Sequence, residues 1–317
     1  MRFISASEVE AVLEFPVLVE AIAEAFRANV AAPLRHHHSI GGEGKEATLL
    51  LMPAWLKGPA ESFIGTKVVT VFPRNSLRGH PSVNGTYLLT NGANGEPLAV
   101  IDGRRLTLWR TAASSALAAT FLARENSESL LMVGAGVLAP YLIRAHAAVR
   151  PLRRIAIWNR TPKRAEAVAS ALSSIGLPAH ATDDLEAATR AADIVSSATL
   201  SLKPLIRGEW LQPGTHVDLV GGFKPDMREA DDEALRRARI YVDTRIGALR
   251  EAGDIVDPLS RGVIAENDIC GDLIDLCRDG TKGRKTPEEI TLFKSVGTAV
   301  EDLATAMLIW QRFGRDE

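Results

Sequence analysis

Cysteine is scarce in this chain, with only Cys270 and Cys277 among 317 residues. Two cysteines exclude a disulfide framework and fit a reducing cytoplasm, and their spacing suits one face of a helix. Long apolar runs are lacking too. None reaches the length of a membrane span, and the opening Met1-Arg2-Phe3-Ile4-Ser5 has no extended apolar core of the signal-peptide kind. Nor is there an excess of charge of one sign. A net charge of −2 leaves no electrostatic footprint for nucleic acid or an anionic membrane, which directs attention to small metabolites. What is present is a hydrophobic content of 46%, enough at this length to bury a sizeable core in two domains.

Ser129 to Val133 is a short apolar run of buried-strand type, followed by Gly134-Ala135-Gly136-Val137-Leu138-Ala139 and an apolar, helix-compatible segment reaching Val149. Strand, glycine loop and helix in that order make a dinucleotide phosphate loop. Gly134 permits the tight turn, Gly136 lets the backbone approach a pyrophosphate, and Ala139 keeps the helix close to its strand. Val137 and Leu138 open that helix, whose unpaired N–H groups face the phosphates. The next strand, Arg154 to Trp158, runs into Asn159-Arg160-Thr161, where a binder of NAD usually carries an acidic residue for the ribose hydroxyl. Asn159, Arg160 and Thr161, with Lys163 and Arg164 close by, suit a 2′-phosphate instead. The expected cofactor is NADP(H), with NAD(H) second.

Beyond the loop, strand and helix patterns alternate: a helix near Lys163–Ile175, strands at Ile194–Ala198, His216–Val220 and Ile240–Val242, and a charged helix around Asp232–Arg239. This alternation predicts an α/β Rossmann fold, a doubly wound parallel sheet over residues 124–297. Thr199 then sits at the carboxyl edge where such sheets bind ligands. Residues 1–123 read as a second, α+β domain. Ser7-Glu8-Val9-Glu10 resembles a capping box, Val19, Ile22, Ala23 and Phe26 follow helical spacing, and strand-like stretches follow at Thr48–Met52, Phe63–Phe72, Thr86–Asn91 and Pro97–Asp102. An Ala-rich helix from Arg104 to Ala123 bridges the two domains. Thr286-Pro287-Glu288-Glu289 predicts a further capped helix, and a closing helix within 298–317 completes the first domain.

Three separated cations stand at element ends of the first domain: Arg35, Lys67 and Arg110. Lys67 interrupts an apolar strand and Arg110 begins the Ala-rich helix, so burial is expected, and a buried cation needs an anion. Either an anionic ligand such as a carboxylate supplies it, or internal Asp and Glu residues do. The His36-His37-His38 run is not a three-ligand metal cluster, because in a strand His37 faces away from its neighbours; no metal is expected. His80 reads as a loop residue.

Four runs carry a family resemblance: Gly65-Thr66-Lys67-Val68-Val69-Thr70-Val71-Phe72-Pro73-Arg74-Asn75, Arg110-Thr111-Ala112-Ala113-Ser114-Ser115-Ala116-Leu117-Ala118, Trp158-Asn159-Arg160-Thr161-Pro162, and Phe293-Lys294-Ser295-Val296-Gly297-Thr298-Ala299-Val300-Glu301-Asp302. In these the chain resembles the ornithine cyclodeaminase/mu-crystallin family over nearly its whole length. The resemblance implies a homodimer whose first domain holds substrate and dimer contacts. It implies that Arg35, Lys67 and Arg110 bind the substrate carboxylate, that Thr111 and Thr199 contact the cofactor, and that Ser295 to Gly297 lie near the nicotinamide.

One departure bears on the reaction. Family cyclodeaminases carry a Gly-Gly-Asp-x-Pro segment whose Asp is the acid/base group for loss of ammonia, whereas here the segment is Gly221-Gly222-Phe223-Lys224-Pro225. Phe223 has no proton to shuttle and becomes a wall of the substrate pocket. Together with the NADP(H) reading, this favours net reduction of a cyclic imino acid, Δ1-pyrroline-2-carboxylate or Δ1-piperideine-2-carboxylate, to L-proline or L-pipecolate. The family's reductases of this kind also resemble the chain in the early Ile-Ser-Ala segment and the Pro-x-Arg-His-His-His run. The alternatives are ornithine cyclodeamination, reductive amination of a 2-oxo acid as in alanine dehydrogenases, and a mu-crystallin-like role in binding NADPH and small ligands.

Overall fold

In a computed structural model, residues 1–28, 30–41, 47–56, 62–279 and 283–313 are described. They belong to two compact units: residues 1–110 with the C-terminal segment from 298, and residues 111–297. The last residues of that segment, 314–317, lie outside the described set. Among the described residues, no helix is long and apolar enough to cross a membrane.

The first unit is a sheet of seven strands: β1 (Arg2–Ile4), β2 (Val30–Ala31), β3 (His36–Ser39), β4 (Thr48–Leu56), β5 (Phe63–Val71), β6 (Val83–Asn91) and β7 (Pro97–Asp102). Their order is β1-β7-β6-β5-β4-β2, with β3 also on β4. All pairings are antiparallel except β1 with β7. Helices α1 (Ala6–Val12) and α2 (Phe15–Arg27) and a closing helix (Ala299–Phe313) accompany it. The apolar stripe of α2, including Leu18, Val19, Ile22, Ala23 and Phe26, is buried as its spacing dictates. The capping box of α1 lies earlier than expected: Ser5 and Glu8 bond reciprocally, not Ser7 and Glu10. Residues Glu8 to Glu10 are already helical, so the cap falls where the chain is still extended. On one face of β4, β5 and β6, Trp55, Ile64, Val68 and Leu88 stay exposed to solvent.

Helix α3 (Gly103–Leu122) is continuous through the junction of the two units, which falls between Arg110 and Thr111 rather than after residue 123. Sequence pattern marks where an element ends, and here one helix serves both units. The second unit is an all-parallel sheet of β8 (Ser129–Val133), β9 (Arg154–Trp158), β10 (Ala179–Thr182), β11 (Ile194–Ser197), β12 (His216–Leu219), β13 (Ala238–Val242), β14 (Ile269–Asp272) and β15 (Ile290–Lys294). Its order is β10-β9-β8-β11-β12-β15-β13-β14, so the winding reverses between β8 and β11. The helices are α4 (Ala139–Val149), α5 (Pro162–Ser173), α6 (Leu185–Arg190), α7 (Asp232–Arg237), α8 (Arg245–Glu251), α9 (Gly253–Ser260) and α10 (Leu273–Arg278). A reversal of winding opens a crevice at the carboxyl edge, the ligand position of doubly wound sheets.

Two expectations are corrected in this unit. Thr286 to Glu289 forms a turn, not a capped helix. The Lys285 N–H bonds the Glu289 carboxylate, and the next residues, Ile290 to Lys294, are drawn into the sheet between β12 and β13. Tertiary pairing overrides the local helix signal. Cys270 and Cys277 do not share a helix face, since Cys270 lies in β14 and Cys277 in α10.

Candidate active site

In the first unit the strand alternation of β5 turns Lys67 inward, opposite Tyr87 of β6. Lys67 Nζ donates to Asp302 Oδ1 at 2.7 Å. Arg110 Nη1 donates to Glu301 Oε2 at 2.7 Å, and its Nε lies 3.0 Å from Asp302 Oδ1. Glu301 and Asp302, in the first turn of the closing helix, are fully buried, as are Lys67 and, nearly, Arg110. The anions that the cations need are therefore present in the chain itself. Neither was singled out from sequence as a partner, because no spacing rule links a strand lysine to a helix so far along the chain.

Desolvation lowers the Lys67 ammonium to about 8, with the Asp302 carboxylate opposing and the Arg110 and Arg35 charges reinforcing that shift. The three sequence-identified cations thus converge electrostatically on one locus. Arg35 itself is half-buried just before β3. Tyr87 packs its hydroxyl over Gly65, where any Cβ would clash with it. Burial, and next to it Asp302, drives the Tyr87 phenol well up from its ordinary value, so it stays protonated. His36, His37 and His38 are all exposed on β3, and among the described residues no three His, Cys, Asp or Glu side chains group as a metal site.

In the second unit Gly134 is buried with φ +105°, and a Cβ there would stand 2.7 Å from the Ala198 carbonyl oxygen and 3.1 Å from Thr199 Cγ2. Only glycine satisfies both the backbone and that approach. A Cβ at Gly136 would meet nothing within 4 Å, so open space lies over the loop. Residues 136–138 form a turn, with Val137 exposed and Leu138 as N-cap, and α4 begins at Ala139, slightly later than expected. Among the described residues no side chain caps α4, and its first turn is closed on the loop instead: the Ala139 N–H donates to the Gly136 carbonyl at 3.1 Å, the Tyr141 N–H to that of Leu138 at 3.0 Å, and Pro140 has no N–H. The phosphate loop and Thr199 therefore meet at the crevice between β8 and β11.

Asn159 accepts from the Ala135 N–H at 3.2 Å and donates to the Thr161 carbonyl at 2.9 Å, so it ties the β9 end to the loop. Arg160, Thr161 and Arg164 are exposed alongside. Thr111 is half-buried on α3. Ser295 and Gly297 are buried after β15, and Gly297 takes φ +82°. Asp243, buried at the end of β13, accepts from the Val296 and Gly297 N–H groups at 2.8 and 2.6 Å and fixes that turn. Phe223 is 41% exposed on the loop that Gly221 and Gly222 lead into. Beneath α4, a fully buried Asp218 accepts from Ser115, Ser196 and His146 Nε2. Burial raises its carboxyl, but the His146 and Ser196 bonds outweigh this and hold it down.

Known proteins resemble this chain in sequence and fold. The chain is 43% identical to a Δ1-pyrroline-2-carboxylate reductase of Paracoccus denitrificans, covering 83% of this chain and 82% of that one. Its structure resembles that of a Thermococcus litoralis Δ1-pyrroline-2-carboxylate reductase in complex with NADH and L-proline, with a TM-score of 0.93, 33% identity and coverage of 100% and 98%. An archaeal alanine dehydrogenase dimer with bound NAD superposes at a TM-score of 0.91, with 30% identity and coverage of 100% and 97%. Fold, site and relatives together define a nicotinamide-dependent oxidoreductase. The model of the ornithine cyclodeaminase/mu-crystallin family matches residues 1–317, and the chain belongs to that family.

Proposed function

We propose that the enzyme reduces a cyclic imino acid, Δ1-pyrroline-2-carboxylate and/or Δ1-piperideine-2-carboxylate, to L-proline or L-pipecolate, with NADPH preferred over NADH. The observation that carries this reading is the buried Lys67–Arg110 pair, held by Asp302 and Glu301 and joined electrostatically by Arg35. Acidic partners that fix each cation's direction pre-organise it to hold a substrate carboxylate.

The crevice fits a dinucleotide. The open space over Gly136 and the glycine-only approach at Gly134 suit a pyrophosphate. Arg160 and Arg164, with no acidic residue at Asn159, suit a 2′-phosphate. Thr111, Thr199, Val137, Leu138, Thr161, Ser295 and Gly297 would line the cofactor. Bound there, the reduced nicotinamide supplies the hydride. The chain's own part is to hold the substrate carboxylate at Arg35, Lys67 and Arg110. An imine already protonated at nitrogen needs no further proton, and Phe223, which carries none, serves as an apolar wall for the ring.

A homodimer is part of this reading. Trp55, Ile64, Val68 and Leu88 give one sheet face of the first unit the apolar character of an interface, and the alanine dehydrogenase relative is a dimer. A content of only two cysteines suits a cytoplasmic setting. The test is NADPH oxidation over a panel: both cyclic imino acids, 2-oxo acids with ammonia, and ornithine. Turnover with the cyclic imino acids alone is expected; turnover confined to 2-oxo acids with ammonia, or proline formed from ornithine without NADPH, would overturn the proposal.

A further inference from the structure

A second buried charge cluster lies behind the dinucleotide crevice. Glu229 is fully buried, and one of its oxygens, Oε1, accepts three hydrogen bonds: from Ser197 Oγ at 2.6 Å, Thr199 N at 2.7 Å and Thr199 Oγ1 at 2.8 Å. Its other oxygen, Oε2, has no hydrogen-bond partner among the described residues. The Glu229 and Ala230 N–H groups both donate to Asp254 Oδ1. Asp254 Oδ2 stands 3.3 Å from Lys294 Nζ, which also donates to the Gly221 carbonyl. The loop leading to Phe223 is laid directly on this cluster. A Cβ at Gly221 would clash with Thr199 O and stand 2.6 Å from Glu229 Oε1, and one at Gly222 would stand 2.8 Å from Asp254 Oδ2.

The Thr199 hydroxyl has one proton and two lone pairs. Its proton goes to Glu229, and one lone pair faces the Ser201 N–H at 3.4 Å. What remains is a single acceptor lone pair beside the phosphate loop, fixed in direction.

We propose that Glu229 is a positioning residue for the cofactor: its carboxylate commits the Thr199 hydroxyl to act toward a bound nicotinamide dinucleotide only as an acceptor, and holds the Gly221–Gly222 turn against it. This rests on the dinucleotide reading of the crevice, not on the identity of the imine. Charge on Glu229 strengthens three hydrogen bonds at once, and protonation roughly halves the strength of each. The groups that face it are Lys294 from β15, Asp254 from α9, and the Ser197 and Thr199 hydroxyls; Arg228 turns to Asp254, Asp232 and Asp257. Burial raises the Glu229 carboxyl to about 7, Lys294 opposing and Asp254 reinforcing, so the switch falls in the neutral range.

The test is NADH affinity of the whole enzyme, read by nicotinamide fluorescence from about pH 5.5 to 8.5. NADH is chosen because it lacks a 2′-phosphate, which itself titrates near pH ~6. Wild-type affinity is expected to fall about threefold to tenfold as pH drops through about 7, the size of one weakened hydrogen bond. Glu229→Gln, a neutral acceptor, should bind at every pH as the wild type does at low pH. Thr199→Val should bind weakly and lose most of the step. A flat wild-type profile overturns the proposal without any variant, as does a Glu229→Gln enzyme that keeps the step. Absence of both NADH and NADPH binding at every pH would overturn the dinucleotide reading along with it. An enzyme that shows the step but fails to reduce either cyclic imino acid would sink only the proposed substrate.

Discussion

The Lys67 ammonium and the Asp302 carboxylate meet at 2.7 Å with both side chains out of water. The pair joins the middle of a sheet to the start of the closing helix and leaves the lysine at about 8, far below an ordinary lysine. Above that pH the cation is lost, so L-proline binding to the oxidised-cofactor complex should weaken as pH rises through about 8. Asp302→Asn removes the charge that holds the lysine up and should move this limb to lower pH. Calorimetric titration of L-proline at several pH values checks both. The stability sign follows: between about 8 and the ordinary value of 10.5 the unfolded chain holds a proton that the folded chain does not, so folding stability rises with pH across that window.

Arg110 binds Glu301 and flanks Asp302 in the same cluster. Arg110→Ala should raise KM for the imino acid and lower kcat, costing about 2 kcal/mol or more in kcat/KM. It also strands a buried carboxylate, so thermal stability should fall, and Arg110→Ala with Glu301→Gln should recover stability without recovering activity. An unchanged KM in the single variant would remove Arg110 from the substrate site.

The two loop glycines should behave differently. Gly134→Ala places a Cβ 2.7 Å from a carbonyl oxygen at a positive φ, so both Tm and dinucleotide affinity should drop. Gly136→Ala meets no protein atom, so Tm should hold while dinucleotide affinity falls, because the methyl occupies the space left for the pyrophosphate. Equal affinity loss with equal destabilisation in both variants would contradict this assignment of the loop.

Arg160 is exposed, so changing it should leave the fold intact. Arg160→Asp should shift the ratio of kcat/KM values from NADPH toward NADH, since an acidic side chain repels a 2′-phosphate and accepts from a 2′-hydroxyl. Retained NADPH selectivity would show that other residues read the ribose.

Much of this was legible in the sequence where one short segment carries its own physics. Gly134 and Gly136 announce the loop because turn geometry needs them, and the stripe of α2 announces its buried face through periodicity. The closing helix and the Pro97–Asp102 strand were equally plain. What sequence left open was set by contacts between distant segments. The internal anions of Lys67 and Arg110 are Glu301 and Asp302, which only the fold brings near. Asp243 and Glu229 look like ordinary surface carboxylates until burial shows which N–H groups they serve. The false helix at Thr286–Glu289 had correct capping chemistry but lay directly before a strand wanted by the sheet.

The most direct test of the account is the stoichiometry of the purified enzyme with Δ1-pyrroline-2-carboxylate and NADPH. One L-proline is expected for each NADPH oxidised, without added ammonia. Oxidation of NADPH only when ammonia and a 2-oxo acid are supplied, or L-proline appearing from ornithine with no net change in cofactor, would contradict it.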